Sequence, residues 1–161
     1  MKPRDPRIVE LLNEALTYEL TITNTYFLHS RMLDSWGFPR LAKVFYDLSI
    51  DEMKDADAII QRILMFDGHP NVQRLNPITI GEDAAEILRL ALAGEVEAVR
   101  AFNAAAAECR QLGDHGTASV FDEMVLDEER HGDWFEAQLQ AIAAIGIGAY
   151  LAQQVDPASA P

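Results

Sequence analysis

Six residues of this 161-residue chain have the types and spacings to hold metal: Glu19, Glu52, Asp55, Glu95, Glu128 and His131. Glu19 and Glu52 lie 33 positions apart, and so do Glu95 and Glu128. Asp55 follows Glu52 by three, as His131 follows Glu128. A constant offset of 76 positions therefore relates the first set to the second. A spacing of three puts two side chains on one face of a helix. Around DEMKD (51–55) that face otherwise holds Leu41, Phe45, Leu48, Ile59, Ile63 and Phe66, so Glu52 and Asp55 point toward an apolar side.

Burying even one unpaired charge costs several kcal/mol. No Lys or Arg shares these stripes, which leaves protonation or bound cations as remedies. Five carboxylates with one imidazole suit iron or manganese better than a thiolate-preferring metal. Two divalent ions would set four positive charges against five negative ones. A lone Glu95 would read as a snorkelling side chain. Six residues under one pseudo-twofold rule read as a metal centre.

Four helices must position these groups. Asp5-Pro6 is a start signal for the first, whose periodicity runs to about Trp36 and stops at Gly37. Pro39 opens a second that ends before Gly68. Residues 68–82 carry prolines and glycines without periodicity and read as a loop. A third helix is expected from about Asp83 to Leu112, a fourth from about Gly116 to Ile145, and a short fifth over 147–154. The apolar stripe of each long helix is interrupted near its middle by one of the ionisable residues. Each Glu–Glu pair is centred near Gly37 or Gly113, so an antiparallel hairpin brings its two glutamates level. A helix of about 30 residues is about 45 Å long, and the 68–82 loop can extend about 50 Å, enough to run the length of a bundle. The expectation is an all-α four-helix bundle with one long crossover. It forms one domain over 1–154, with a flexible tail at 155–161.

The net charge of −13 and pI near 4.5 disfavour nucleic acid and anionic membranes and attract cations. No apolar stretch is long enough to span a bilayer and no signal peptide is evident. The single cysteine, Cys109, excludes an intrachain disulfide and reads as a buried small apolar residue. A cytoplasmic location is expected.

The constellation resembles the ferritin-like di-iron carboxylate proteins and, within them, the bacterioferritins. The stretches YFLHSRM (26–32), SIDEMKDAD (49–57), TIGED (79–83) and DEERHGDW (127–134) carry the likeness, which covers nearly the whole chain. It implies a cage of 24 identical or related subunits built of dimers. Such cages oxidise Fe(II) with oxygen or peroxide, store ferric mineral and carry haem b between subunit pairs. A redox partner for iron release is implied, as is pairing with a second bacterioferritin subunit in mixed cages. By this resemblance Glu19 and Glu95 are terminal ligands of a di-iron centre, Glu52 and Glu128 bridge, and His131 binds one iron. Tyr26 and Trp134 match family aromatics near the site. Asp55 departs from the family, which has histidine there. Its carboxylate oxygens lie one bond past Cγ, as histidine Nδ1 does, so it can still reach a metal, adding a negative charge that favours Fe(III).

Met53 points about 100° away from Glu52. Periodicity alone favours packing for it; the resemblance favours ligation of haem iron. His29 reads as a hydrogen-bonded core histidine, while His69 and His115 fall in turns. Asp47 and Asp51 read either as an acidic face toward a cage interior or as a solvated one. Two rival readings stand beside iron storage: a non-storing di-iron or di-manganese oxidase or catalase, and a catalytically weak haem-bearing subunit of a mixed cage.

Overall fold

The computed structural model describes residues 2–155. Five helices follow in order: α1 (Arg7–Ser35), α2 (Pro39–Met65), α3 (Ala84–Gln111), α4 (His115–Ile145) and α5 (Ile147–Ala152). No strand occurs among the described residues. The all-α bundle with its long crossover and short fifth helix is thus present. Residues 156–161 of the expected tail lie outside the described residues.

The start and stop signals work through specific hydrogen bonds. Asp5 Oδ1 accepts from the Arg7 amide at 2.8 Å, and Pro6 already has helical angles. Gly37 ends α1 at φ +87°, a conformation glycine adopts without strain. The Phe38 amide then reaches back to the Leu33 carbonyl at 2.9 Å. Asp83 caps α3 by accepting from the Glu86 amide at 2.8 Å. The fourth helix begins at His115, one residue before the Gly116 start expected from sequence. The reason is Asp114, whose carboxylate accepts from the Thr117 amide at 3.0 Å and its hydroxyl at 2.7 Å. The fifth helix stops at Ala152, short of the expected 154, where Arg40 turns the chain. Its amide and guanidinium donate to the Gln154 and Gln153 carbonyls, each at 3.2 Å.

Helices α1 and α2 pack along each other, as do α3 and α4. The crossover between the hairpins is strapped to α1. Asn13 Nδ2 donates to the His69 carbonyl at 3.3 Å, the Asn71 amide to Asn13 Oδ1 at 2.7 Å, and the Asn76 amide to Thr21 Oγ1 at 2.9 Å. The segment therefore advances along the bundle as it joins one hairpin to the other.

The interior has two apolar clusters. One gathers Ile8, Leu12, Leu16, Ile59, Ile63, Phe102 and Phe121 with their neighbours. The other gathers Tyr26, Leu33, Leu41, Phe45, Leu88 and Phe135. On every long helix the buried glutamate falls between the residues of these two clusters. The carboxylates thus form a polar layer sandwiched between two oily ones.

Candidate metal centre

Glu19, Glu52, Glu95 and Glu128 are each 0–1% exposed. Each comes from a different helix, placed at one depth by the two tight turns and the crossover. Asp55 and His131, one turn further along α2 and α4, are half-buried at the same level.

Ligand atoms of Glu52, Glu95, Glu128 and His131 lie within 4.8 Å of one another, and so do those of Glu19, Glu52, Asp55 and Glu128. The six residues therefore form two clusters that share Glu52 and Glu128. His131 Nδ1 sits 3.1 Å from Glu52 Oε1, 3.3 Å from Glu128 Oε2 and 3.9 Å from Glu95 Oε1. These approaches lack hydrogen-bond alignment. Both oxygens of Glu19, Glu52 Oε1, Glu128 Oε2 and His131 Nδ1 are buried without a hydrogen-bond partner. Buried polar atoms almost always have partners. The two Glu19 oxygens have no neighbour of opposite sign, and the other three atoms meet only one another without hydrogen-bond alignment. Ligand atoms converging in this way fit cations between them, and their chemistry suits iron.

The electrostatics express the same crowding. Burial first, then the neighbouring Glu52 and Glu128 charges, push the Glu19 and Glu95 carboxyls well above the usual range. Burial also raises Glu52, against the pull of His131. Asp55 rises to about 6, through burial and then the Glu52 and Glu128 charges. Burial pulls His131 down, but Glu128 and Glu52 outweigh it and carry the imidazole up to about 10. Without metal, the layer must hold protons.

Around the layer, the Tyr26 hydroxyl donates to Glu95 Oε1 and fixes that carboxylate. Trp134 packs edge-on against Phe135 at 5.2 Å, within the apolar cluster. Tyr18, which carries no sequence signal of its own, donates to the Gly94 carbonyl between α1 and α3. Gly132, inside α4, faces Glu95 and Leu92. Its only sequence signal is a glycine within a helical pattern.

His29 is fully buried beside Phe45, as expected of a core histidine. Neither ring nitrogen meets strict hydrogen-bond geometry, but the Thr79 backbone of the crossover stands beside the ring as an acceptor. Burial, outweighing the Thr79 backbone beside it, lowers its pKa to about 4 and keeps it neutral. Cys109 is buried, as expected. Met53 is 48% exposed and fills no gap within its own chain. On the same face Phe27 and Tyr46 are also exposed, their ring centroids 6.3 Å apart. No helix among the described residues is long and apolar enough to cross a membrane.

Residues 9–145 match the Ferritin family, described as a ferritin-like domain. The chain is 46% identical over 151 residues to the bacterioferritin of Mycolicibacterium paratuberculosis, covering 94% of this chain and 95% of that one. It is 42% identical over 146 residues to the bacterioferritin of Brucella melitensis, covering 91% of each. It is also 42% identical over 151 residues to bacterioferritin BfrA of Mycobacterium tuberculosis, covering 94% of this chain and 95% of the relative.

Proposed function

The chain belongs to the bacterioferritins of the ferritin-like family, proteins that store iron, and we propose that it oxidises Fe(II) in its own four-helix core before storing it. The observation that carries this reading is the pair of four-residue clusters sharing Glu52 and Glu128. Shared carboxylates are the means by which two metal ions are held side by side. Glu19 and Asp55 would complete one site, Glu95 and His131 the other.

Two Fe(II) ions give up two electrons, enough to take dioxygen to peroxide or peroxide to water. The chain's part is to bind, hold charge and manage protons. Ligation needs the carboxylates and His131 deprotonated, so loading expels the protons that the layer holds when empty. Those protons leave where reduction of the oxidant consumes them. Tyr26, hydrogen-bonded to Glu95, keeps one terminal carboxylate from swinging. The two apolar clusters exclude water and strengthen each interaction inside.

Asp55 sets the balance between oxidation states. Five carboxylates leave two Fe(II) with one net negative charge and two Fe(III) with one net positive charge. A neutral histidine at 55 would raise both by one. The aspartate therefore favours the oxidised pair and slows iron release from the centre. Asp55 also supports a second reading, a subunit of low activity that assembles with a competent partner subunit. Stopped-flow iron oxidation by the pure homomer, beside Asp55→His, separates them. The expected result is oxidation well above the uncatalysed rate in both proteins, with release under reductant faster in Asp55→His. A homomer no faster than buffer would leave only the second reading.

Haem between paired subunits is part of this proposal. Met53, with Phe27 and Tyr46, supplies an exposed apolar face carrying a thioether, and a thioether is a reasonable haem ligand. A 24-subunit cage, a cytoplasmic location and a redox donor for iron release complete the reading.

A further inference from the structure

On one side of the bundle the buried glutamates are closed off. Tyr18 bridges α1 to α3 through the Gly94 carbonyl, its ring edge-on to Phe102 at 5.8 Å. The two grooves that Tyr18 borders contain none of the six cluster residues. The α3–α4 seam differs. A groove of about 270 Å³ there has Glu95 and Glu128 in its floor, each 1% exposed, so it reaches the carboxylates without laying them open.

Gly132 lines that groove. It is buried in α4, one turn after Glu128. A Cβ added there would meet Glu95 Cβ at 3.8 Å and Leu92 Cδ1 at 3.9 Å, which is ordinary contact. Its φ lies outside the left-handed region, so the backbone does not demand glycine. A helix-interior glycine is destabilising, and space is what it provides. At the mouth stand Glu129, Asp133 and Glu136, exposed and in no ion pair among the described residues. The adjacent Arg130 is occupied by Asp127. The wall includes Glu128, whose buried Oε2 has no hydrogen-bond partner and lies 3.3 Å from His131 Nδ1, on the inner side of that wall. A water occupies about 30 Å³, so six need about 180 Å³, and a hydrated divalent cation fits the groove.

We propose that the Gly132 seam is the route by which a hydrated divalent cation reaches the buried centre, gathered by Glu129, Asp133 and Glu136 and received by Glu128 and Glu95. This rests on the di-metal reading above. The rival approach runs past Asp55 and His131, which are also partly exposed.

Co(II), which binds without being oxidised by air at such sites, is the probe, followed by its visible absorption after rapid mixing with the assembled full-length protein. Wild type should take two Co(II) per chain. Gly132→Leu should reach the same final spectrum and stoichiometry at least tenfold more slowly, and Gly132→Ala should fall between. The combined variant Glu129→Gln, Asp133→Asn, Glu136→Gln should slow uptake and flatten its dependence on ionic strength. If Gly132→Leu does not assemble, the alanine and charge variants decide. Unchanged rates in both would overturn the route and make the Asp55–His131 side the way in. Wild type taking up no Co(II) would overturn the centre, and the route with it.

Discussion

Glu19 shows the conflict of the metal-free chain in one side chain: fully buried, both oxygens unpartnered, its carboxyl pushed well above the usual range by burial and by Glu52 and Glu128. A group with a raised folded pKa stabilises the fold below its unfolded pKa and loses that contribution as pH climbs through the folded value. Glu95 and Asp55 behave alike, the latter through about 6. His131, raised to about 10, has the same sign at higher pH. A neutral isostere at position 19 escapes the loss. Calorimetry in the presence of chelator should find metal-free Glu19→Gln equal to wild type at pH 5. At pH 8 it should be more stable by about 1 kcal/mol or more, which is about 3 °C in Tm for a chain of this size. Added metal should reverse the order, because the glutamine is a poorer ligand. A gap that ignores pH would mean Glu19 is not strained by its neighbours. Metal affinity should also weaken as pH falls through about 6, where Asp55 takes up its proton.

Among the elements, α4 carries both Glu128 and His131. Its start is held by Asp114, which caps Thr117 and pairs with Arg62 of α2 at 3.1 Å, while Arg62 also lies over the Phe66 ring. Burial pushes Asp114 up, but the Thr117 amide and hydroxyl and Arg62 outweigh it, so its carboxyl is held low. Its contribution is therefore present above the ordinary carboxylate range and lost as pH falls through that lowered value. Asp114→Ala should cost about 1–2 kcal/mol in chemical denaturation, as a lost cap plus the loss of Arg62's carboxylate partner, with Arg62 Nε still donating to Thr117 Oγ1. Asp114→Asn, which still caps, should lose distinctly less. At this scale the sequence was legible where period decides: the four helices and the carboxylate layer follow from steps of three and four. It was not legible where a facing element decides. Gly116 reads as a boundary, yet Asp114 starts the helix one residue earlier. Gly132 acquires meaning only because Glu95 and Leu92 of α3 lie against it, and Tyr18 only because Gly94 does. His29 was expected to be hydrogen-bonded, and the acceptor beside it, the Thr79 backbone, belongs to a crossover without periodicity, so which group would face the ring was not legible.

At the scale of the whole molecule, the net charge of −13 would keep copies apart, yet the α1–α2 face exposes Phe27, Tyr46 and Met53. Arg31 lies over both rings, 5.3 Å from Phe27 and 5.4 Å from Tyr46. Such a face on an acidic protein calls for cover. A twofold contact is self-complementary, so a second copy seated there would bring two Met53 thioethers toward each other. This is the arrangement that haem shared between two subunits requires. If the chain stores iron in a cage as proposed, light scattering on the purified protein should report a mass far above that of a dimer, with iron uptake far beyond two per chain. Met53→Ala should abolish the Soret band while leaving mass and iron uptake unchanged, because Met53 points away from the carboxylate layer. A Soret band that survives the substitution would move haem ligation elsewhere. A small oligomer saturating at two metals per chain would be at odds with mineral storage inside a shell, since the buried layer alone offers no room for more.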